Sequence, residues 1–323
     1  MCVLYWNNEC YIIDKYIRMV SIIIISYNTS RLTINCIRSI QKTYPNGEIV
    51  VVDNRSPDDT VRQIQQDFPS IRVVVTPENK SYSNAVNIGM NATTSEYSIV
   101  CNADVEFFED SIERLVGYLQ THPRVGVCSP QQQYPDGSWQ YSFGTLPSIS
   151  ESIKDMLLLY GVIDTLKRVF YPRYKSWDCP RKVGYCDGAV LAIRREAFVG
   201  VGGFDEEFSF YAEEADFCYR LRKAGWGVYF QPRATVMHIR GASSGAEMNM
   251  SEKAIQKLIA SKLQYVRKHS TSTNVNIFRS FEILNCTWKK NLCRLLLMFS
   301  SSTKLRSKMK MFGLMEHYYK KSL

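Results

Sequence analysis

The sequence has no apolar run approaching the ~18 residues needed to cross a bilayer; runs such as those around residues 22–25 and 295–299 fall far short. Nor do residues 1–18 hold the uninterrupted apolar stretch of a signal peptide, because Asn7, Asn8, Glu9, Asp14 and Lys15 break it. Ten cysteines are present, but no two form a C-x-x-C pair, which argues against a zinc knuckle and a thioredoxin-type redox centre. Cys101 and Cys128 lie inside apolar segments, where a free thiol behaves as a small hydrophobe, so reduced cysteines in a cytoplasmic protein are expected. Neither G-x-G-x-x-G after the first apolar run nor G-x-x-x-x-G-K-[ST] occurs. Dinucleotide binding in the dehydrogenase manner and a P-loop are therefore disfavoured. Internal repeats and low-complexity tracts are also missing, and only four histidines are available as ligands or bases.

What is there suits a folded α/β protein. The 323 residues are 45% hydrophobic and 22% charged, which excludes disorder, collagen and coiled coil as descriptions of the whole. The net charge of +9 is unevenly placed: residues 251–323 carry fifteen Lys and Arg against three Asp and Glu, and the remainder is slightly acidic. A basic tail on an acidic body points to an anionic partner for the tail alone. Nucleic acid is disfavoured, since no recognition motif accompanies the charge.

From Val20 onward, short β-branched runs alternate with amphipathic stretches. Val20–Ser26, Glu48–Asp53 and residues 71–75, 97–101, 125–129 and 188–194 read as strands. Residues 29–43, 58–68 (with Asp58 as N-cap), 81–91 and 110–121 read as helices. Another helix opens at Glu213 and Glu214 and ends at Gly225. The order implies βαβ units, a mostly parallel central sheet and helices on both faces. Three further helices are expected in the tail: Glu252–His269, 276–299 and 304–321. Leu292, Leu295, Leu296 and Phe299 share a face there, beside Lys289, Lys290 and Arg294. Such a face suits the surface of an anionic membrane, or packing against the rest of the protein. The expected division is an N-terminal extension at 1–18, a catalytic domain at 19–250 and a basic helical region at 251–323.

Ligands of open α/β sheets collect at the carboxyl ends of the strands. Those ends carry Ser26, Tyr27 and Asn28; Asp53 and Asn54; Glu78 and Asn79; and Asn102, Ala103 and Asp104. The set offers a ring for stacking, a carboxylate for ribose or base donors, and a second carboxylate for a metal. With no glycine nest for phosphates, a divalent cation is the natural clamp for a diphosphate. On the residues alone, Asn-Ala-Asp equally suits a turn and Asp53 a cap. Glu214, Cys218 and Leu221 share a helical face, so Glu214 is directed inward; Asp216 and Arg220, four apart, are set to pair. The aromatic-rich stretch 131–182 could stack on sugar rings or simply pack.

Six segments in order carry a resemblance: VSIIIISYN at 20–28, IVVVDNRS at 49–56, NADV at 102–105, GGFDE at 202–206, YAEEADFCYRLRKAGW at 211–226 and ATVMHIRGAS at 234–243. Together they resemble the family 2 glycosyltransferases, and within them the rhamnosyltransferase-like enzymes of bacterial surface polysaccharide synthesis. The resemblance spans roughly residues 19 to 270. It implies the GT-A fold and inverting transfer of rhamnose or a similar hexose. The donor would be a dTDP-, UDP- or GDP-linked sugar, the acceptor a saccharide or lipid-linked saccharide.

By the same resemblance, Asp104 and His238 hold Mg²⁺ or Mn²⁺, with Asn102 where the family's D-x-D motif has its first aspartate. Ser26, Tyr27, Asp53 and Asn79 seat the nucleoside. Asp187 and Gly188 approach the transferred sugar, and Asp205 or Glu206 the acceptor. Glu214 is the catalytic base, with Glu213 as its alternate; the family usually has Glu-Asp here, so this base is one methylene longer. The protein is expected in the cytoplasm, peripheral on the inner membrane face. A sugar nucleotidyltransferase or a non-catalytic sugar-nucleotide-binding scaffold are the rival readings; the first lacks its glycine-rich basic signature near the first strand.

Overall fold

The structure, a computed structural model, describes residues 3–6, 9–12, 20–157, 179–208, 211–239, 251–299 and 301–322. Most of the N-terminal extension, Gly241 to Ser243, and Tyr160, Phe170, Tyr171, Tyr174 and Trp177 of the aromatic-rich stretch lie outside the described residues.

A hairpin of β1 (Val3–Trp6) and β2 (Glu9–Ile12) precedes the main body. The body then runs β3 (Val20–Ser26), α1 (Ser30–Thr43), β4 (Glu48–Asp53), α2 (Thr60–Asp67), β5 (Arg72–Val75), α3 (Tyr82–Asn91) and β6 (Tyr97–Asn102). Next come β7 (Val105–Phe107), α4 (Ser111–Thr121), β8 (Val125–Gln133), β9 (Trp139–Gln140), β10 (Phe143–Gly144) and α5 (Ile149–Met156). They are followed by β11 (Arg181–Lys182), β12 (Tyr185–Cys186), β13 (Val190–Arg194), α6 (Arg195–Gly200), α7 (Glu213–Lys223) and β14 (Gly227–His238). Three helices close the chain: α8 (Glu252–His269), α9 (Ser272–Leu297) and α10 (Thr303–Lys321).

The central sheet has the order β11-β14-β8-β13-β6-β3-β4-β5, with β7 on β14 and β9 on β8. β5, β4, β3 and β6 are mutually parallel, and β14 is parallel to β8. β13 departs from the alternating pattern: it lies antiparallel between β6 and β8. Periodicity of two carries no direction, so the reversal was invisible in the sequence. Its consequence is functional. The start of β13, not its end, stands at the carboxyl edge of the sheet, and the Asn102 N–H donates to Ala189 O at 3.0 Å there.

Alternate residues of the buried strands feed opposite faces. Val20, Ile22, Ile24 and Val51 join one core with α1 and α4, whereas Ile23, Val50 and Val52 join the other with α3, α6 and α7. Gly89 lets α3 settle on this second face, since a Cβ there would come within 3.0 Å of Val52 and closer still to Ile23. Ser81 caps α3, accepting from Asn84 N at 3.1 Å. The cap expected of Asp58 falls one residue later, at Asp59, without a side-chain bond; Asp58 instead accepts from Thr60 N and Oγ1 just outside the helix. A third core belongs to α8, α9 and α10, and Phe208 and Ala215 enter it from the sheet domain.

Candidate active site

The strand tips form a continuous ledge. Register pairs Ser26 with Asp53 and Ile25 with Asn102, placing the ends of β4, β3 and β6 side by side. Asp53 is fully buried, and its carboxylate closes a turn by accepting from Ser56 N (2.8 Å) and Ser56 Oγ (2.6 Å). Ser56 Oγ in turn accepts from Asn28 N at 2.8 Å, tying the loops after β3 and β4 together. Both loops bend through left-handed residues, Asn28 at φ 54° and Arg55 at φ 64°. Asn54 Nδ2 donates to Asn79 Oδ1 (3.0 Å), joining the loop after β5. Tyr27 holds its ring at the rim, 45% exposed. Ser26, in contrast, is buried and its hydroxyl pairs with Thr33 of α1 at 2.8 Å, so its side chain braces the helix.

A second cluster forms where β14 ends against β7. Ile239 N donates to Asp104 O at 3.0 Å, and His238 Nε2 stands 3.5 Å from Asp104 Oδ1, both side chains buried. His238 Nδ1 lies 2.7 Å from Gln140 Oε1 and 3.1 Å from Gln132 Oε1. Both neighbours are acceptors, so Nδ1 carries a hydrogen and the ring is oriented with Nε2 toward the Asp104 carboxylate. An imidazole nitrogen and a carboxylate oxygen brought together, with the imidazole oriented from behind, are residue types that would suit a divalent cation. Among the described residues no third His, Cys, Asp or Glu joins them as a metal-binding group, which is compatible with an ion of few protein ligands.

Gln132 extends this cluster toward the acidic pair: its Nε2 donates to Asp187 Oδ1 at 3.4 Å. Asp187 also accepts from Ala189 N at 2.9 Å, and Gly188 O accepts from Tyr82 Oη at 2.6 Å. Glu214 packs directly on Gly188, where a Cβ would overlap its carboxylate. The longer side chain thus has its space from a missing side chain across the crevice.

The chain enters α7 through two left-handed residues, Tyr211 (φ 70°) and Ala212 (φ 65°), an unusual pair for non-glycine residues. Burial pushes the Glu213 carboxyl up to about 7, with the Asp187 charge adding to it, and Glu213 Oε2 has no hydrogen-bond partner among the described residues. Glu214 keeps a little surface open but is stripped of most of its hydration. That loss, followed by the Glu213 and Asp187 charges, holds its carboxyl well above the usual range. A buried pair of carboxyls so displaced is a candidate for acid–base chemistry.

Two residues expected at the acceptor have other occupations. Glu206 accepts from Lys80 (2.9 Å), Asn84 (2.9 Å) and Asn87 (3.0 Å), clamping its loop to α3. Asp205 accepts from Glu207 N at 2.9 Å and from Lys268 at 2.5 Å, clamping the same loop to α8. The sequence reading passed over Gln132, Gln140 and Tyr82; the run of three glutamines at 131–133 closing an apolar strand was the available signal.

A GT-A-like sheet bearing a carboxylate–imidazole pair at its carboxyl edge and an acidic helix start across the crevice defines a nucleotide-sugar transferase architecture. The family model "Glycosyl transferase family 2" matches residues 21–201, and the chain belongs to that family. It is 32% identical over 220 residues to N-acetylglucosaminyl-diphospho-decaprenol L-rhamnosyltransferase of Mycobacterium tuberculosis (strain ATCC 25618 / H37Rv), covering 62% of this chain and 68% of that protein. Rhamnosyltransferase WbbL of Escherichia coli (strain K12) is 22% identical over 269 residues, covering 81% and 97%. The fold is shared with the mannosyltransferase PcManGT from Pyrobaculum calidifontis, whose structure holds GDP-Man and Mn²⁺, at a TM-score of 0.60 and 15% identity over 94% of this chain and 86% of that one.

Proposed function

We propose that this glycosyltransferase moves rhamnose or a similar hexose from a nucleoside-diphosphate donor, with inversion, to a saccharide or lipid-linked saccharide at the cytoplasmic membrane face. The observation that carries the reading is the chain of contacts from Asp104 through His238 and Gln132 to Asp187 beside Glu213 and Glu214. It supports a reading in which a diphosphate binds at the Asp104–His238 end and a group able to take a proton stands at the other.

Asp104 and His238 would hold Mg²⁺ or Mn²⁺, which when bound neutralises the charge that develops on a departing diphosphate. Gln132 and Gln140 keep the imidazole in its ligating tautomer. Tyr27 and the Asn54–Asn79 pair flank the nucleoside, with Asp53 shaping their loops from beneath. Asn102 and Asp187–Gly188 border the sugar between these two regions. Glu214 accepts the proton of the acceptor hydroxyl, which attacks from the face opposite the nucleotide, and Glu213 raises its basicity by like charge. Glu214 acting as the one base, with Asp187 and Glu213 forming no bond to the sugar, gives one displacement and hence inversion.

The test is an assay of purified protein with dTDP-, UDP- and GDP-sugars, a lipid-linked saccharide and Mn²⁺, with the product anomer read by NMR. A product of inverted configuration supports the reading. A product of retained configuration, or no transfer with any donor, overturns it.

A further inference from the structure

The C-terminal helices leave one long apolar face uncovered. On α9, Ile277, Leu284, Trp288 and Leu295 stand 7, 4 and 7 residues apart, the spacing of a single helical face. They are between 40% and 56% exposed, and Phe299 just beyond the helix is 84% exposed. At 1.5 Å per residue the row from 277 to 295 is about 27 Å long. The opposite side of the helix is spent on the fold: Phe278, Glu282, Cys286 and Cys293 are buried, Glu282 accepting from Ser152, Lys262 and Tyr319. The exposed row is therefore the surplus face of an anchored helix.

The sequence that follows it is strongly basic. Residues 287–322 hold nine Lys and Arg against one acid, Glu316, and Glu316 is taken by Lys290 and Lys320. Lys289 is taken by Asp155. Arg294, Lys304, Arg306, Lys308 and Lys310 are all exposed and make no ion pair among the described residues. Four of these five follow the end of α9 within the first turns of α10. No helix of the described residues is long and apolar enough to cross a membrane. A tryptophan- and leucine-bearing stripe flanked by free cations has the composition of a surface that lies on a bilayer, not through it.

We propose that the α9 row from Ile277 to Phe299, with the cations of α10, is the surface by which this protein docks on anionic lipid. The row supplies apolar insertion, and the cations supply attraction to headgroup phosphate. This surface stands apart from the crevice and does not depend on the reaction assigned to it.

The experiment is flotation of the full chain with phosphatidylcholine vesicles, with and without phosphatidylglycerol. It is run for the native sequence, for Trp288→Glu with Leu295→Glu, and for Lys304→Glu with Lys308→Glu, with circular dichroism confirming fold and light scattering giving mass. The native chain is expected to float only with phosphatidylglycerol present, and each double variant to bind roughly tenfold more weakly or less. Failure of the native chain to bind anionic vesicles overturns the proposal, as does undiminished binding by the Trp288/Leu295 variant. A native dimer that this variant converts to monomer, without vesicle binding, assigns the stripe to self-association instead.

Discussion

Replacing Gly188 by alanine tests whether the Glu214 carboxylate must occupy the position it holds. A Cβ at 188 would overlap Oε1 of Glu214 and stand 3.0 Å from both its Cδ and its Cγ. The backbone there has no left-handed strain to relieve, and the Tyr82 bond to Gly188 O uses main chain that alanine retains. The substitution therefore acts on the neighbouring carboxylate. To regain ordinary contact Glu214 must withdraw by about 1 Å, and a displacement of that size at a reacting group costs on the order of 100-fold in rate. The expected result is a kcat lowered about 100-fold, donor KM within about threefold and an unchanged thermal midpoint. Adding Glu214→Asp, which shortens the side chain by one methylene and so draws back the carboxylate oxygen that collides, should recover at least tenfold of the loss, roughly 1.4 kcal/mol relative to Gly188→Ala alone. Native turnover in Gly188→Ala, or simple additivity in the double variant, would refute the reasoning.

Glu214→Gln should lower transfer by about 10²–10⁴ while donor binding, followed by calorimetry, stays near native; near-native turnover would remove Glu214 as the base. A base must be unprotonated to act, and lost hydration with the Glu213 and Asp187 charges holds the Glu214 carboxyl well above the usual range, so kcat/KM of the native enzyme should still be climbing above the ordinary carboxylate range and level off only on the alkaline side. The raised Glu213 carboxyl affects stability with a definite sign. The folded state holds its proton longer than the unfolded one, so native stability falls as pH rises from about 4.5 to about 7. Glu213→Gln should thus gain roughly 3 kcal/mol over native above pH 7 and nothing near pH 4, as read by urea titrations. Asp216→Ala should destabilise by about 3 kcal/mol, because it removes the fully buried carboxylate that Arg220, Lys268 and His269 meet within 2.8 Å, leaving Arg220 to Val201 O and Lys268 to Asp205. Chemical denaturation would show it, and a loss below ~1 kcal/mol would contradict the role given to that network.

Much of the sheet was legible because its strands are buried on both faces. VSIIIIS cannot be a surface element, and the polar residue closing each such run marks the ligand edge. Helix α7 was equally plain, from its acidic first turn to Gly225 at φ 86°. The direction of β13 could not be read, since side-chain alternation is the same either way along a strand. That reversal is what brings Asp187 and Gly188 to Asn102. The orientation of His238 was likewise hidden, because it depends on Gln132 and Gln140, about a hundred residues away. In the sequence Asp205 and Glu206 look available for an acceptor because their partners, Lys80 just ahead of α3, Asn84 and Asn87 on α3 and Lys268 on α8, lie far away along the chain. The exposed row on α9 was half visible: Leu295 and Phe299 were grouped correctly, but Leu284 and Trp288 joined them only once packing decided which face was buried.

The account rests on Asp104 and His238 acting together as a cation site for a diphosphate, within reach of the acidic start of α7. Anomalous diffraction from crystals grown with Mn²⁺ and a nucleoside diphosphate measures this directly. The account predicts a single strong peak about 2 Å from both Asp104 Oδ1 and His238 Nε2, bridged to phosphate oxygens. An ordered nucleotide with its ion elsewhere, or with none between these two side chains, would contradict it.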